Sequence, residues 1–191
     1  MKQPDYDPEL LKTGDGRNVA DHFKTWTVKA IQQNLAASAF PLHVAIENYQ
    51  HDYNIGTIVR SANAFNVAGV HIIGKRHWNR RGAMATEKYL QLYHHVDVSS
   101  FVAWAEAEKY QLIGIDNITT SKPLTTAILP PDAVYVFGQE GPGLSPEMQA
   151  ACTNMIAIEQ YGSTRSINLG VAAGIILYVW IQQNIHASST P

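Results

Sequence analysis

The stretch AVYVFGQEGPGLSPEM, residues 133–148, decides the fold class, because an apolar strand-like run passes through a glycine-rich turn into the start of a helix. Its three glycines allow positive φ angles and a close approach of the backbone to a ligand, and Ser145 followed by Pro146 is typical of a helix start. Taken alone, such a turn is more often structural than ligand-binding. Glu140 is unusual there, because a carboxylate between glycines at a strand end has no evident packing role.

The same alternation of apolar runs and helical patterns continues on both sides of this stretch. Strands are predicted near residues 42–47, 70–73, 94–98, 111–115, 133–137 and 154–158, and helices near 18–38, 55–66, 84–92, 100–109, 145–151 and 166–184. This pattern predicts an α/β fold, a mostly parallel six-stranded sheet with helices on both faces. The loops at the carboxyl ends of its strands should gather into one site. The first sixteen and the last six residues are predicted to be frayed ends.

Composition and charge limit the possible classes of function. The chain has 191 residues and a formal net charge of −2, so attraction for nucleic acid must come from a local patch. Lys75, Arg76, Arg80 and Arg81 supply one, although a charge cluster taken alone is more often a solvated loop.

The sequence disfavours disulfide-bonded, metal-binding, exported and membrane-spanning proteins. The single Cys152 excludes an intramolecular disulfide, which favours a reducing interior such as the cytoplasm. Scattered histidines offer no zinc spacing, and the adjacent His94 and His95 should point to opposite faces of a strand, so no metal is expected. The amino terminus lacks a signal-peptide pattern, and the apolar run at residues 169–181 is too short for a membrane span.

Two further polar segments follow predicted strands. In NIGTIVRSANAF, from Asn54, an apolar stripe leaves Asn54 at the mouth of a helix and Arg60 off the stripe. These two could be a helix cap and an exposed arginine, or a phosphate clamp at the edge of the sheet. In YGSTRSINLGVAAG, from Tyr161, Ser166 is predicted to cap the last helix, with Asn168 in its first turn.

The last helix carries apolar residues on every side, which predicts that it is covered all round. Burial within one subunit and partial cover by another subunit are equally consistent with this pattern.

With the three segments in this order, the chain resembles the SpoU (TrmH-like) branch of the SPOUT RNA 2'-O-ribose methyltransferases over residues 42–184. The patterns N-x-G-x-x-x-R, G-x-E-G-x-G and S-x-N at the opening of an apolar carboxyl-terminal helix carry the resemblance. It implies an amino-terminal extension and helix at residues 1–40, a SpoU methyltransferase domain at residues 41–186, a carboxyl-terminal trefoil knot and a homodimer.

The resemblance also implies an enzyme that transfers a methyl group from S-adenosylmethionine to a ribose 2'-hydroxyl in tRNA or rRNA. By position, the implied catalytic residues are Asn54, Arg60, Glu140, Ser166 and Asn168. The implied cofactor-binding residues are Gly138, Gly143, Ile158, Ile167 and Asn168. The expected RNA-binding residues are Lys75, Arg76, Arg80 and Arg81. Because a guanidinium hardly ever loses its proton, we expect Arg60 to bind the phosphate beside the target ribose, which leaves the proton acceptor open.

The chain departs from the family at Glu159, where proline is frequent, and at Gly170, where serine is frequent. Two alternatives stay open at this point: an RNA-binding SPOUT relative without catalysis, and an unrelated α/β enzyme that binds a nucleotide on the glycine-rich turn.

Overall fold

Strands and helices alternate along the chain, as the sequence predicts. The computed structural model describes residues 4–50 and 54–186. The helices are α1 (Pro8–Thr13), α2 (Val28–Ala37), α3 (Asn54–Ala64), α4 (Val98–Ala107), α5 (Pro146–Ala151) and α6 (Leu169–Ile181). The strands are β1 (Phe40–Asn48), β2 (Val67–Gly74), β3 (Leu92–His95), β4 (Gln111–Ile115), β5 (Lys122–Pro123), β6 (Ala133–Phe137) and β7 (Asn154–Ala157).

The strands form one sheet in the order β3-β2-β1-β6-β4-β7-β5, and every neighbouring pair is parallel. The predicted fold class is therefore confirmed, but the sheet has seven strands rather than six. The missed strand, β5, has two residues and contains Pro123, so no apolar run marks it.

Helices cover both faces of the sheet because alternate residues of each strand point to opposite sides. Val44 of β1 belongs to the core that β1 shares with α3 and α6, where it joins Ile176. The next residue, Ala45, belongs to the opposite core with Phe101 of α4 and Met148 of α5. Within the described residues, we find no helix that is both long and apolar enough to cross a membrane.

Three local predictions are wrong. The helix predicted at 84–92 is replaced by two 3₁₀ turns, Arg80–Ala83 and Thr86–Tyr89, because Met84 and Ala85 between them have positive φ angles of 50° and 65°. The helix predicted at 18–38 is a 3₁₀ turn at Asp21–Phe23 followed by the shorter α2.

The third concerns the amino-terminal end of the chain. The first sixteen residues are not frayed throughout, because Asp7 caps α1 through the N–H groups of Glu9 and Leu10. Residues 187–191 lie outside the described residues. The last helix is not wholly buried within one subunit, since Val171 and Tyr178 are 53% and 56% exposed, and its cover by another subunit stays a prediction.

The amino-terminal segment packs against the loop between β2 and β3. Phe23 and Ile31 form a small core with Tyr89 of that loop, and Gln32 Nε2 donates to the carbonyl oxygen of Lys88 at 2.7 Å. The segment therefore supports the far end of the loop that carries the basic residues.

Candidate active site

The candidate site lies at the carboxyl edge of the sheet, between β1 and β6. These strands are neighbours, with Ile46 paired to Phe137, but the winding of the chain reverses between them: β2 and β3 lie beyond β1, whereas β4 and β7 lie beyond β6. In open α/β sheets, ligands bind in the crevice outside such a point. The segments that follow β1 and β6 therefore begin side by side.

A chain of hydrogen bonds joins all three polar segments. Asn54 Nδ2 donates to Glu140 Oε2 at 2.7 Å, and Asn168 Nδ2 donates to Asn54 Oδ1 at 2.7 Å. Asn168 Oδ1 in turn accepts from the N–H groups of Gly170 and Val171 at 2.9 and 3.3 Å. Because each amide nitrogen faces an acceptor and each amide oxygen faces a donor, the network sets the orientation of both amides.

A pocket of about 300 Å³ opens beside this chain. The ends of β4, β6 and β7 and the amino terminus of α6 form its wall. The predicted cofactor-binding residues Gly138, Gly143, Ile158, Ile167 and Asn168 all line it, as do Glu140 and Ser166. The fold thus brings these separate segments to one pocket.

The predicted capping role of Ser166 is wrong. Helix α6 begins at Leu169, and its N-cap is Asn168. The N–H of Ser166 instead donates to the hydroxyl of Thr164 at 3.4 Å, and this hydroxyl donates to the carbonyl oxygen of Ser166 at 2.7 Å. Asn168 is the better cap because its oxygen serves the helix while its nitrogen still reaches Asn54.

The turn after β6, which we call the glycine loop (residues 138–144), is closed on itself. Gln139 and Gly143 exchange backbone hydrogen bonds of 2.9 and 3.0 Å. A Cβ at position 138 would collide with the backbone of Gly143 and Leu144, so only glycine fits there. Gly143 itself has a φ of 73°. The closed loop carries Glu140 at its exposed tip.

Sequence reasoning missed two carboxylates. Both bind residues at the end of the glycine loop. Glu47, fully buried at the end of β1, accepts from the N–H and the hydroxyl of Ser145 at 2.7 and 2.6 Å. Asp116, directly after β4, accepts from the N–H of Leu144 at 2.8 Å. Their position at strand ends is the same signal that identified the three polar segments, and it would have found them.

Two further residues of the pocket were missed. Asn117 follows Asp116 in the wall of the pocket, and its Nδ2 donates to the carbonyl oxygen of Arg165 at 3.5 Å. Gln160, shortly after β7, also lines the pocket. Both are polar residues just beyond a strand, so the same signal applies.

Both departures from the family pattern have a structural explanation. The carboxylate of Glu159 accepts from the N–H of Thr125 at 3.2 Å and from its hydroxyl, and that hydroxyl bond lowers the pKa of Glu159. The acid thereby ties the end of β7 to the turn after β5. At position 170, a Cβ would lie 2.8 Å from Cγ2 of Thr57, so the threonine of α3 fills the space that a side chain would need.

Arg60 is not part of the hydrogen-bonded chain. It is exposed on α3, about 9 Å along the helix axis from Asn54 and on a different face. Between residues 4–50 and 54–186, its guanidinium forms no hydrogen bond or ion pair. Within one subunit, the structure therefore joins Asn54, Glu140 and Asn168 but leaves Arg60 outside.

The basic loop, residues 75–81, lies beside the amino terminus of α3. Lys75, Arg76, Arg80 and Arg81 are all exposed. Asn48 Nδ2, at the end of β1, donates to the carbonyl oxygens of Lys75 and His77 at 2.6 and 3.1 Å. The guanidinium of Arg80 lies 5.7 Å from the centre of the Trp78 ring, which is buried.

Close packing fixes this loop against α3. A Cβ at Gly56 would lie 2.8 Å from the backbone nitrogen of Ala83, so the helix and the loop touch through their backbones. The 3₁₀ turn that carries Arg80 and Arg81 is thus packed against α3 at Gly56, two residues after Asn54.

A row of buried histidines crosses β1, β2 and β3. His43 Nδ1 and His71 Nε2 lie 2.9 Å apart, as do His71 Nδ1 and His95 Nε2. Burial lowers the pKa of His43 to about 4 and that of His71 to about 2, so these rings are neutral at pH 7. Among the residues that the structure describes, no group of three or more His, Cys, Asp or Glu side chains could hold a metal ion. His94 points away from the row, its Nε2 lying 2.8 Å from the carbonyl oxygen of Gly74, which confirms the predicted opposite orientation of His94 and His95.

Comparison with known proteins agrees with this geometry. The sequence pattern of the SpoU rRNA methylase family matches residues 41–178. The chain is 32% identical over 145 residues to an uncharacterized tRNA/rRNA methyltransferase of Mycolicibacterium vanbaalenii, covering 71% of this chain and 45% of that protein. It is 28% identical over 143 residues to the 23S rRNA (guanosine-2'-O-)-methyltransferase RlmB of Coxiella burnetii, covering 72% and 56%. The chain therefore spans about half the length of these curated relatives.

Among solved structures, the chain is similar to the TrmH/SpoU tRNA modifying enzyme of A. aeolicus, with a TM-score of 0.73, 24% identity and 84% of each chain covered. At this identity, the likeness establishes the fold.

Proposed function

The chain belongs to the SpoU rRNA methylase family, and on this premise we propose that it transfers a methyl group from S-adenosylmethionine to a ribose 2'-hydroxyl of tRNA or rRNA. The observation that carries the proposal is that two distant polar segments line one pocket and the third is joined to them through the bonds between Asn54, Glu140 and Asn168. A purely structural turn would not need a carboxylate, two amides and a pocket at the same strand ends.

The residues of the pocket fit this methyl donor. The carboxylates of Asp116 and Glu140 suit its positive charge, and the close-packed glycine loop lets the backbone near Gly138 approach a ligand. We propose that the backbone at Gly138, Gly143, Ile158 and Ile167 holds the donor. The donor, when bound, supplies a methyl group on an electrophilic sulfonium. We further propose that the segment from β7 into α6 forms the trefoil knot of the family, a rare exception among chain topologies.

The hydrogen-bonded chain has a positioning role in this mechanism. Methyl transfer needs the ribose hydroxyl aligned in line with the methyl group, and alignment alone lowers the barrier substantially. Asn54 is 7% exposed and holds two lining residues of the pocket, Glu140 and Asn168, at a fixed separation, and this bonded chain forms a fixed edge of the pocket. Glu140 and Asn168 hold that edge in place, and Ser166 lines the pocket next to them.

We propose that Arg60 acts across the interface of a homodimer. Val171 and Tyr178 form an exposed apolar stripe on α6, and α6 packs along α3, whose exposed face carries Arg60. A second copy that covers this stripe would bury apolar surface and bring Arg60 to the boundary between subunits. There, the guanidinium can bind a phosphate beside the target ribose of the partner's pocket.

Mixing two inactive variants tests this arrangement. Arg60→Ala leaves the pocket intact and Glu140→Ala leaves the arginine intact, so a mixed dimer contains one complete site if Arg60 works in the other subunit. An equal mixture, allowed to exchange subunits, should recover about a quarter of the wild-type methylation rate. A mixture that stays inactive while its subunits exchange would place the role of Arg60 within its own subunit.

We propose that the basic loop follows the RNA backbone. Its four cations are exposed, and the contact between Gly56 and Ala83 packs the adjoining 3₁₀ turn against the amino terminus of α3. Phosphate contacts of this kind position RNA without reading its sequence. The single Cys152 is consistent with a cytoplasmic location, where tRNA and rRNA are present.

Two measurements separate this function from its alternatives. S-adenosylhomocysteine should raise the melting temperature of the protein, whereas NAD or ATP should not, because neither carries the homocysteine moiety. Stabilisation by NAD or ATP alone would favour the unrelated nucleotide-binding enzyme. Transfer of a tritiated methyl group to bulk RNA should then follow; stabilisation by S-adenosylhomocysteine without any transfer would favour the RNA-binding relative without catalysis.

A further inference from the structure

One hydrogen-bond acceptor in the wall of the pocket lacks a partner. Oε1 of Gln160 is buried and makes no hydrogen bond to any residue of the described chain, and Gln160 lines the pocket together with Ile158. A buried amide oxygen that stays unpaired is costly, and native structures seldom leave one without a ligand or water. The position of this oxygen therefore indicates a donor on the bound ligand.

The other residues of the pocket indicate which kind of ligand donor Oε1 of Gln160 would bind. The carboxylates of Asp116 and Glu140 are the acceptors in this pocket that suit a cationic group. A neutral oxygen shielded from water better suits a neutral donor, such as an amino group on an aromatic ring. Ile158 and Leu169 line the same pocket and offer apolar surface to such a ring.

We propose that Gln160 selects the adenine of the methyl donor by accepting a hydrogen bond from its exocyclic amino group. This inference rests on the methyl-donor pocket proposed above. Gln160 thereby acts as a specificity-determining residue that distinguishes an amino group from a carbonyl at the same ring position. A carbonyl there would face Oε1 with two acceptors and no proton between them.

The test compares two ligands that differ only at this position. S-adenosylhomocysteine carries the amino group, and S-inosylhomocysteine carries a carbonyl oxygen instead. Titration calorimetry on the full chain should show at least about tenfold weaker binding of the inosyl compound to the wild type, because the pocket would then hold unpaired polar groups. Gln160→Met keeps the length of the side chain but removes the acceptor, so the ratio of the two dissociation constants should fall close to one.

Two further variants make the result specific. Gln160→Glu keeps an acceptor and should keep the preference for the adenosyl compound. Gln139→Met is the matched control, because Gln139 lines the same pocket but its Oε1 already accepts from the N–H of Gln50 at 2.9 Å; it should keep the wild-type ratio.

The outcomes distinguish this inference from the function on which it rests. A wild-type protein that binds the adenosyl compound tightly, with a ratio that Gln160→Met leaves unchanged, would refute the role of Gln160 and leave the pocket standing. A wild-type protein that binds neither compound would refute the pocket as a methyl-donor site, and this inference with it.

Discussion

Replacing Asn54 with Asp turns the donor of the hydrogen bond between the first two segments into a second acceptor. It would set two carboxylates against each other across the 2.7 Å that now separates Asn54 Nδ2 from Glu140 Oε2. Two unit charges at this distance repel by about 6 kcal/mol at an effective dielectric constant of 20 and by about 1.5 kcal/mol in bulk water. Asn54 is buried and Glu140 is exposed, so we expect Asn54→Asp to lower the free energy of unfolding by about 3 kcal/mol at pH 8.

The double variant Asn54→Asp with Glu140→Gln should restore the bond with its polarity exchanged, because the new amide can donate to the new carboxylate. Glu140→Gln alone should cost only about 1 kcal/mol, since its amide oxygen can still accept from Asn54. Urea unfolding of all four proteins at pH 8 gives the coupling energy, which we expect to exceed about 2 kcal/mol in favour of the double variant. The penalty of the single Asp variant should shrink at pH 5, where the pair retains a shared proton. Additive effects at pH 8 would show that the two side chains do not face each other.

Three further predictions concern the rest of the fold. Burial lowers the pKa of His43 to about 4. Below about pH 6.5, the unfolded chain therefore binds a proton at this histidine that the folded chain does not bind. Urea unfolding should show that His43 lowers the free energy of unfolding by about 3 kcal/mol as the pH falls from 6.5 to 4. An unfolding free energy that stays constant between pH 7 and 5 would contradict this. Gly56→Ala should cost about 1–3 kcal/mol and weaken RNA binding, because the new Cβ would lie 2.8 Å from the nitrogen of Ala83. Gly16→Ala, with no atom within 4 Å of such a Cβ and outside any helix, is the control that should be neutral. Arg80→Ala should reduce the slope of log affinity for RNA against log salt by about one, and an unchanged slope would remove this residue from the phosphate surface.

Much of the fold was predictable because its signals are local. Strands such as β1 and β6 are short apolar runs that end at polar or glycine-rich turns, so their type and their parallel arrangement follow from the pattern. The helix predicted at 84–92 failed because Met84 and Ala85 adopt positive φ angles, which neither residue favours by itself. Strand β5 was not predicted because two residues are too few to show a periodic pattern.

The candidate site was predictable in its residues but not in its bonds. Asn54, Glu140 and Asn168 could be selected as polar residues at the edge of a parallel sheet. Ser166 was mistaken for the cap because serine and asparagine are equally good caps, and only the tertiary contact of Asn168 with Asn54 decides between them.

The sequence could have indicated Glu47 by its place at a strand end, but not the residue that Glu47 binds. The bond from Ser145 to Glu47 joins positions 98 residues apart, and it exists because β1 and β6 are neighbours in the sheet. A strand order that departs from chain order cannot be read from periodicity, so such partners appear only with the structure.

The central claim is that these segments form one pocket that places a methyl donor beside an RNA sugar. The most direct measurement is mass spectrometry of nucleosides from RNA incubated with the purified protein and isotopically labelled S-adenosylmethionine. The account predicts label on ribose 2'-O-methylated nucleosides with the wild type and none with Asn168→Ala, which removes one hydrogen bond of Asn54 and the cap of α6. Label on a base instead of a ribose, or equal labelling by Asn168→Ala, would contradict it.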